Sequence, residues 1–304
     1  MDTPNINPKD NSFDAIIIGG SYSGLSAAMQ LARARRRVLV IDAGLRRNRF
    51  AQKSHGFLGQ DGRNAADIIS DGKAQLLAYP NVSWMDGAVS DAVAQDQGFM
   101  VNAGGTPLYA KKLVLATGII DELPAIEGLQ ERWGKSVFHC PYCHGYELDN
   151  GPIAVIASGP LSHHHAVMLP DWGRVTLLTN GAYVPDEEQL QQLEKRGVSI
   201  EPTLIKRLTG EAAVELVNGR TLEFNGMFTL TKTRVGSPLA EQLGCAFDEG
   251  PLGSVIRTEM TKATTVPGVF ACGDGARMMG NVAMAVADGA MAGAATHQSL
   301  IFGG

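Results

Sequence analysis

Phe13-Asp14-Ala15-Ile16-Ile17-Ile18-Gly19-Gly20-Ser21-Tyr22-Ser23-Gly24 decides the fold. The run up to Ile18 is apolar enough for a parallel strand covered on both faces, and it breaks directly into a glycine-bearing turn. Leu25, Ala28, Met29 and Ala32 then recur at helical spacing, and Val38-Leu39-Val40-Ile41-Asp42 supplies a second strand ending in an acid. The pattern predicts a βαβ unit. Glycines in its first turn let the backbone approach a pyrophosphate at the helix N-terminus, where free N–H groups and the dipole hold negative charge. Asp42 is placed to accept a hydrogen bond from an adenosine ribose hydroxyl. Gly19, Gly20, Ser21, Ser23, Gly24 and Asp42 are the candidate dinucleotide-binding residues, although Ser21 stands where a second glycine is usual.

Further along, Lys112-Leu113-Val114-Leu115-Ala116 is another buried-strand run, followed by Thr117-Gly118. A second βαβ pattern covers Ile153 to Ala157, a helix from Ser162 to about Leu169, and Val175 to Thr179. Its fingerprint is damaged. Ala157 and Ser162 occupy the first and third glycine positions, Gly159 alone remains, and Pro160 removes an N–H donor. The strand ends at Thr179-Asn180-Gly181 without the arginine that a 2′-phosphate meets, so NADPH is a doubtful ligand. His163-His164-His165 occupies consecutive helix positions that point in different directions, which suits surface or lining residues better than a metal site. A polar helix is expected over Glu187 to Glu194 and short strands over Val198 to Phe224, with Asn218-Gly219 as a turn. The chain then crosses back near Thr233 to Ser237 and reaches Val266-Pro267-Gly268-Val269-Phe270-Ala271-Cys272-Gly273-Asp274-Gly275. From Asn281 onward, small and apolar residues (Val282, Ala283, Ala285, Val286, Gly289) suit a helix set closely against a cofactor or sheet. The fold class is therefore α/β, with two Rossmann-like βαβ nucleotide-binding domains.

Between the two βαβ patterns lies His139-Cys140-Pro141-Tyr142-Cys143-His144-Gly145-Tyr146-Glu147. Two thiols three positions apart can close a small disulfide ring, and a neighbouring imidazole can take a thiol proton. Zinc competes for such a pair, but a structural site needs four ligands; the other cysteines, Cys245 and Cys272, stand alone, and His139 and His144, which could supply two more, crowd the same short loop. No metal is expected.

With 304 residues, 36 glycines and 44% hydrophobic residues, the chain suits a two-domain α/β protein rich in tight turns. A net charge of −5 gives no basic footprint for nucleic acid. Residues 1–12 form a polar tail without the apolar core of a signal peptide, and no apolar run is long enough to span a membrane. A cytoplasmic location follows, and its reducing conditions favour a catalytic over a structural role for the Cys pair.

The Gly19 to Gly24 turn, Ala116-Thr117-Gly118, the Cys140/Cys143 pair and Thr265 to Asp274 stand in an order that resembles the low-molecular-weight thioredoxin reductase family. The resemblance runs from Phe13 to the C-terminus. It implies an FAD domain of residues 13–118 and 235–304 split by an inserted NAD(P)H-type domain, 119–234, that carries the Cys pair. It also implies that FAD is held by Thr117, Gly118, Gly273 and Asp274, with Asp274 on the ribityl chain, and by Asn281, Val282 and Ala283 at the flavin pyrimidine. A homodimer is implied too. Cys-Pro-Tyr-Cys-His-Gly-Tyr-Glu, together with Ser54-His55-Gly56-Phe57-Leu58-Gly59, is most similar to the branch of gliotoxin- and holomycin-type dithiol oxidases. By matching positions Cys143 faces the flavin, Cys140 exchanges with substrate, and His144 replaces the acid of the reductases as candidate base or merely caps a helix. The expected partner is a small-molecule dithiol, oxidised with oxygen as acceptor; a thioredoxin-like protein reduced by NADPH, and a flavin-containing redox sensor, are the competing readings.

Overall fold

The computed structural model describes residues 11–303, in which two compact units are resolved. One comprises the chain up to Arg49, Asn64–Ile120 and the chain from Thr233; the other comprises Phe50–Arg63 and Asp121–Lys232. Most of the expected tail lies outside the described residues. Ser12, however, already belongs to the first strand, paired with Tyr109, and Asn11 accepts the Tyr109 N–H at 2.8 Å.

The first unit is built on β1 (Ser12–Ile18), α1 (Tyr22–Arg33) and β2 (Val38–Asp42). β1 lies between β2 and Thr106–Leu115, parallel to both, and Val82–Asp86 extends the sheet beyond β2. The Thr106–Leu115 strand changes partners along its length. Its first half pairs antiparallel with Gly98–Ala103, while Leu113 to Leu115 pair in parallel with Val269–Ala271. Both faces of the sheet are covered, which is why β1 reads as an unbroken apolar run. Ile16, Leu39 and Leu113 enter one core cluster, and Ile17, Val40 and Val114 enter the other. α1 ends where Arg35 turns left-handed at φ 59°, and Arg33 sits at its negative end.

The long helix Val282–Phe302 lies on α1 through glycine. A methyl group on Gly289 would stand 2.1 Å from Ser23 O, and one on Gly293 2.4 Å from Ala27 O. Equal steps along both helices make them parallel, and Ser26 Oγ fixes the register by donating to Val286 O at 2.7 Å.

The second unit holds a parallel sheet in the order Val137–Phe138, Gly226–Phe228, Pro152–Ile156, Arg174–Leu178, Ser199–Glu201. Ser162–Met168 is the crossover helix, and Glu187–Lys195 starts in a capping box between Asp186 and Gln189. An antiparallel sheet of Ile205–Thr209, Ala213–Leu216 and Thr221–Glu223 completes the unit, with Gly219 at φ 86° in its last turn. Phe50–Arg63, which the sequence reading leaves in the first domain, joins this unit. Its contacts explain the placement: Phe50 lies against Gly134, where a methyl would be 2.6 Å from Phe50 Cβ, and His55 meets Glu147.

Candidate functional site

In the first unit the registers Ile18↔Ile41, Ile18↔Leu115 and Leu115↔Ala271 align the carboxyl ends of four neighbouring parallel strands. Gly19, Asp42, Thr117-Gly118 and Gly273-Asp274 all follow from that one edge, the usual ligand edge of an open α/β sheet. Close backbone approach explains the glycines. Gly19 has φ 104° and a methyl there would lie 2.2 Å from Ala116 O, while a methyl on Gly24 would lie 1.8 Å from Gly19 O. Gly20 N–H donates to Asp42 Oδ1 at 3.0 Å, tying the turn to the acid at the end of β2. Ser21 is the N-cap of α1 and makes no side-chain cap bond, so the first-turn N–H groups face outward for an anion.

Asn281, Val282 and Ala283 open the long helix, and Asn281 Oδ1 accepts the Met284 N–H at 2.9 Å. Because Gly289 sits beside Ser23, the start of this helix runs about 9 Å beyond the start of α1 at 1.5 Å per residue. Two parallel helix ends, offset along one direction, suit a cofactor stretched from pyrophosphate to a ring. Gly273, at φ 75°, lies against the Ser23 side chain. The glycine cradle, the outward N–H groups and the offset together fit FAD.

The Cys pair belongs to the second unit. Cys140 is the N-cap of the short helix Pro141–His144, and Cys143 N–H donates to Cys140 O at 3.2 Å. Pro141 at the first helical position fixes this turn. Trp172 supports it from one side: a methyl on Gly145 would stand 2.7 Å from the indole, and Tyr142, 73% exposed, meets Trp172 edge-on at 5.4 Å. His144 stacks on Phe138 at 4.1 Å between centroids, and both ring nitrogens are buried without a hydrogen-bond partner. Burial, helped by the nearby His55 charge, pushes its pKa down to about 4. The ring is neutral at pH 7. Cys245 and Cys272 are buried thiols raised above the usual range by desolvation, Cys272 to about 12, and neither is set up to ionise.

The damaged fingerprint is closed from within. Ser162 Oγ, at the third glycine position, accepts the Ser158 N–H at 3.0 Å, and Ser158 Oγ donates to Leu230 O at 2.8 Å. Asn180 Oδ1 accepts Ile205 N–H at 2.8 Å where a phosphate-binding arginine would be wanted. Of the three histidines, His164 is exposed and His165 buried, so the latter corrects the expectation of surface or lining residues: its ring meets Phe228 edge-on.

Residues 13–289 match the family described as pyridine nucleotide-disulphide oxidoreductase. The chain belongs to that family. Among curated relatives, thioredoxin reductase tcpT of Claviceps purpurea is 30% identical, with 96% of this chain and 95% of the relative covered. Among solved structures, an oxidoreductase from Agrobacterium tumefaciens is 54% identical with a TM-score of 0.94, covering 96% of this chain and 99% of that one. HlmI is 33% identical with a TM-score of 0.89, covering 95% and 93%. Within the pyridine nucleotide-disulphide oxidoreductases the chain is thioredoxin reductase-like, on the gliotoxin and holomycin branch, and is an FAD-dependent thiol–disulfide oxidoreductase.

Three residues near the first-unit site carry no repeat or spacing signal. Arg47 pairs with Asp274 at 3.0 Å, Asn48 Nδ2 donates to Tyr22 Oη at 3.1 Å, and Trp84 lies against Gly20. They come from a loop and a strand whose patterns show no periodicity or spacing, and only the basic run Arg46-Arg47-Asn48-Arg49 marks the loop.

Proposed function

We propose that this protein oxidises a small-molecule dithiol to its disulfide, with Cys140 exchanging with substrate, Cys143 facing the flavin and oxygen as terminal acceptor. The overall reaction balances as dithiol plus O₂ to disulfide plus hydrogen peroxide. FAD, held by Gly19, Gly20, Ser21, Ser23, Gly24, Asp42, Thr117, Gly118, Gly273, Asp274, Asn281, Val282 and Ala283, supplies the two-electron acceptor. Cys140 and Cys143 carry the thiol chemistry beside His144. The observation that carries the oxidase direction is the fingerprint closed by Ser162, which leaves a pyridine nucleotide without its pyrophosphate turn. Cytoplasmic location and a homodimer belong to the same reading.

Dithiol-dependent oxygen uptake with matching peroxide release, lost in both Cys140→Ser and Cys143→Ser, is the expected result. NADPH-driven reduction of thioredoxin without dithiol oxidation would replace this reading with that of a reductase.

A further inference from the structure

Glu147 follows Cys143 by four positions and His144 by three. The intervening backbone stays helical through Pro141–His144, Gly145 (φ −70°, ψ −37°) and Tyr146–Leu148. At that spacing Cys143, His144 and Glu147 share one side of the turn. A second segment of the same unit brings His55 to this side. Its Nε2 lies 3.4 Å from Glu147 Oε1 and its Nδ1 lies 3.7 Å from Asp61 Oδ1. Asp61 is itself fixed, because its Oδ1 accepts the Gly56 N–H at 2.8 Å.

The two imidazoles are in opposite situations. His144 is packed on Phe138 with no partner at either nitrogen, whereas His55 has a carboxylate facing each nitrogen. Burial first, and then nearby His55, keep His144 unprotonated. An imidazolium at His55 would have a carboxylate at each nitrogen, whereas one at His144 would have none.

We propose that His55, positioned by Glu147, takes up the proton released when a thiol of the Cys140/Cys143 pair ionises, while His144 remains a neutral ring stacked on Phe138. The S–H bond breaks, an imidazole N–H bond forms, and no electrons move. The resulting imidazolium stabilises the thiolate that attacks or leaves a disulfide. The groups facing His55 are Glu147, Asp61 and His144. This inference rests on the redox reading of the Cys pair.

The test is the pH dependence of iodoacetamide alkylation of Cys140 and Cys143 in the reduced holoprotein under anaerobic conditions, followed by mass spectrometry. His55→Gln should abolish the acid-side inflection and lower the alkylation rate near pH 6.5 by about tenfold. Glu147→Gln, which removes the carboxylate facing Nε2, should also lower the alkylation rate near pH 6.5, and Glu147→Asp should restore it in part. His144→Gln should leave the inflection in place. Loss of the inflection in His144→Gln with its retention in His55→Gln overturns the proposal, as does a wild-type profile with no such inflection. Flavin content and melting temperature report on folding, and Glu147→Gln, on a half-exposed side chain, decides the matter if His55→Gln does not fold. Failure of the redox reading looks different: wild-type Cys140 and Cys143 would then not interconvert between dithiol and disulfide in glutathione buffers.

Discussion

Cys140 and Cys143 differ from Cys245 and Cys272 in surroundings. The first two are half-buried at the start of a helical turn, the last two are sealed in a core where a thiolate is costly. Unequal roles within the reactive pair should be visible in the flavin spectrum. Cys140→Ser should retain a Cys143 thiolate that gives a long-wavelength charge-transfer band with FAD, with turnover lost; the band in Cys143→Ser instead would swap the roles. His144, whose ring nitrogens are buried, and the buried His165 add a pH dependence to stability. His144 and His165 are both pushed down to about 4, mainly by burial. Between that value and the ordinary 6.5 the unfolded chain binds protons that the folded chain does not, so stability falls as pH drops through this window. The shift corresponds to roughly 3 kcal/mol per histidine at its limit. His165→Leu should therefore flatten the decline in melting temperature between pH 6.5 and 4; a slope unchanged from wild type would contradict the assignment.

The contact between α1 and the Val282–Phe302 helix fixes both helix ends, and it depends on two glycines. A methyl at Gly289 would stand 2.1 Å from a backbone oxygen of Ser23, so the helices must part to admit it. Overpacking of this kind costs about 1–3 kcal/mol. Gly289→Ala should lower the melting temperature and the flavin-to-protein ratio together. Gly159→Ala, where nothing lies within 4 Å of an added methyl, should change neither. Much of this level was legible in the sequence. The apolar run into Gly19, the acid at Asp42 and the small residues after Asn281 each name an element with a fixed period or turn chemistry. The placement of Phe50–Arg63 was not legible, because its position is set by contacts to Gly134 and Glu147 and by no repeat of its own. His144 was legible as a residue type beside Cys143, but its neutrality comes from stacking on Phe138 and from burial, which spacing does not encode.

For the whole molecule the question is where electrons enter. The fold retains two nucleotide-binding sheets, but they are unequal in the detail that matters for a phosphate. In the first unit the turn after β1 keeps Gly19 and Gly24 and leaves the α1 N-terminus open. In the second, a serine hydroxyl accepts the Ser158 N–H within the turn, Pro160 contributes no donor, and the end of the Arg174–Leu178 strand leads to an asparagine already bonded to Ile205. A charge-assisted hydrogen bond contributes roughly 1.5–3 kcal/mol, so on the proposed dithiol-oxidase reading a missing pyrophosphate anchor and a missing 2′-phosphate anchor together would weaken NADPH binding by orders of magnitude. The second unit still holds the Cys140/Cys143 turn against Trp172. Anaerobic titration followed through the flavin absorbance should thus show bleaching by a dithiol and little by micromolar NADPH or NADH. Ser162→Gly, which removes the hydroxyl that closes the turn, should raise the response to NADPH, though the missing arginine keeps it incomplete. Rapid, saturable bleaching of the wild-type protein by micromolar NADPH would place electron entry at the second sheet and make the protein a reductase.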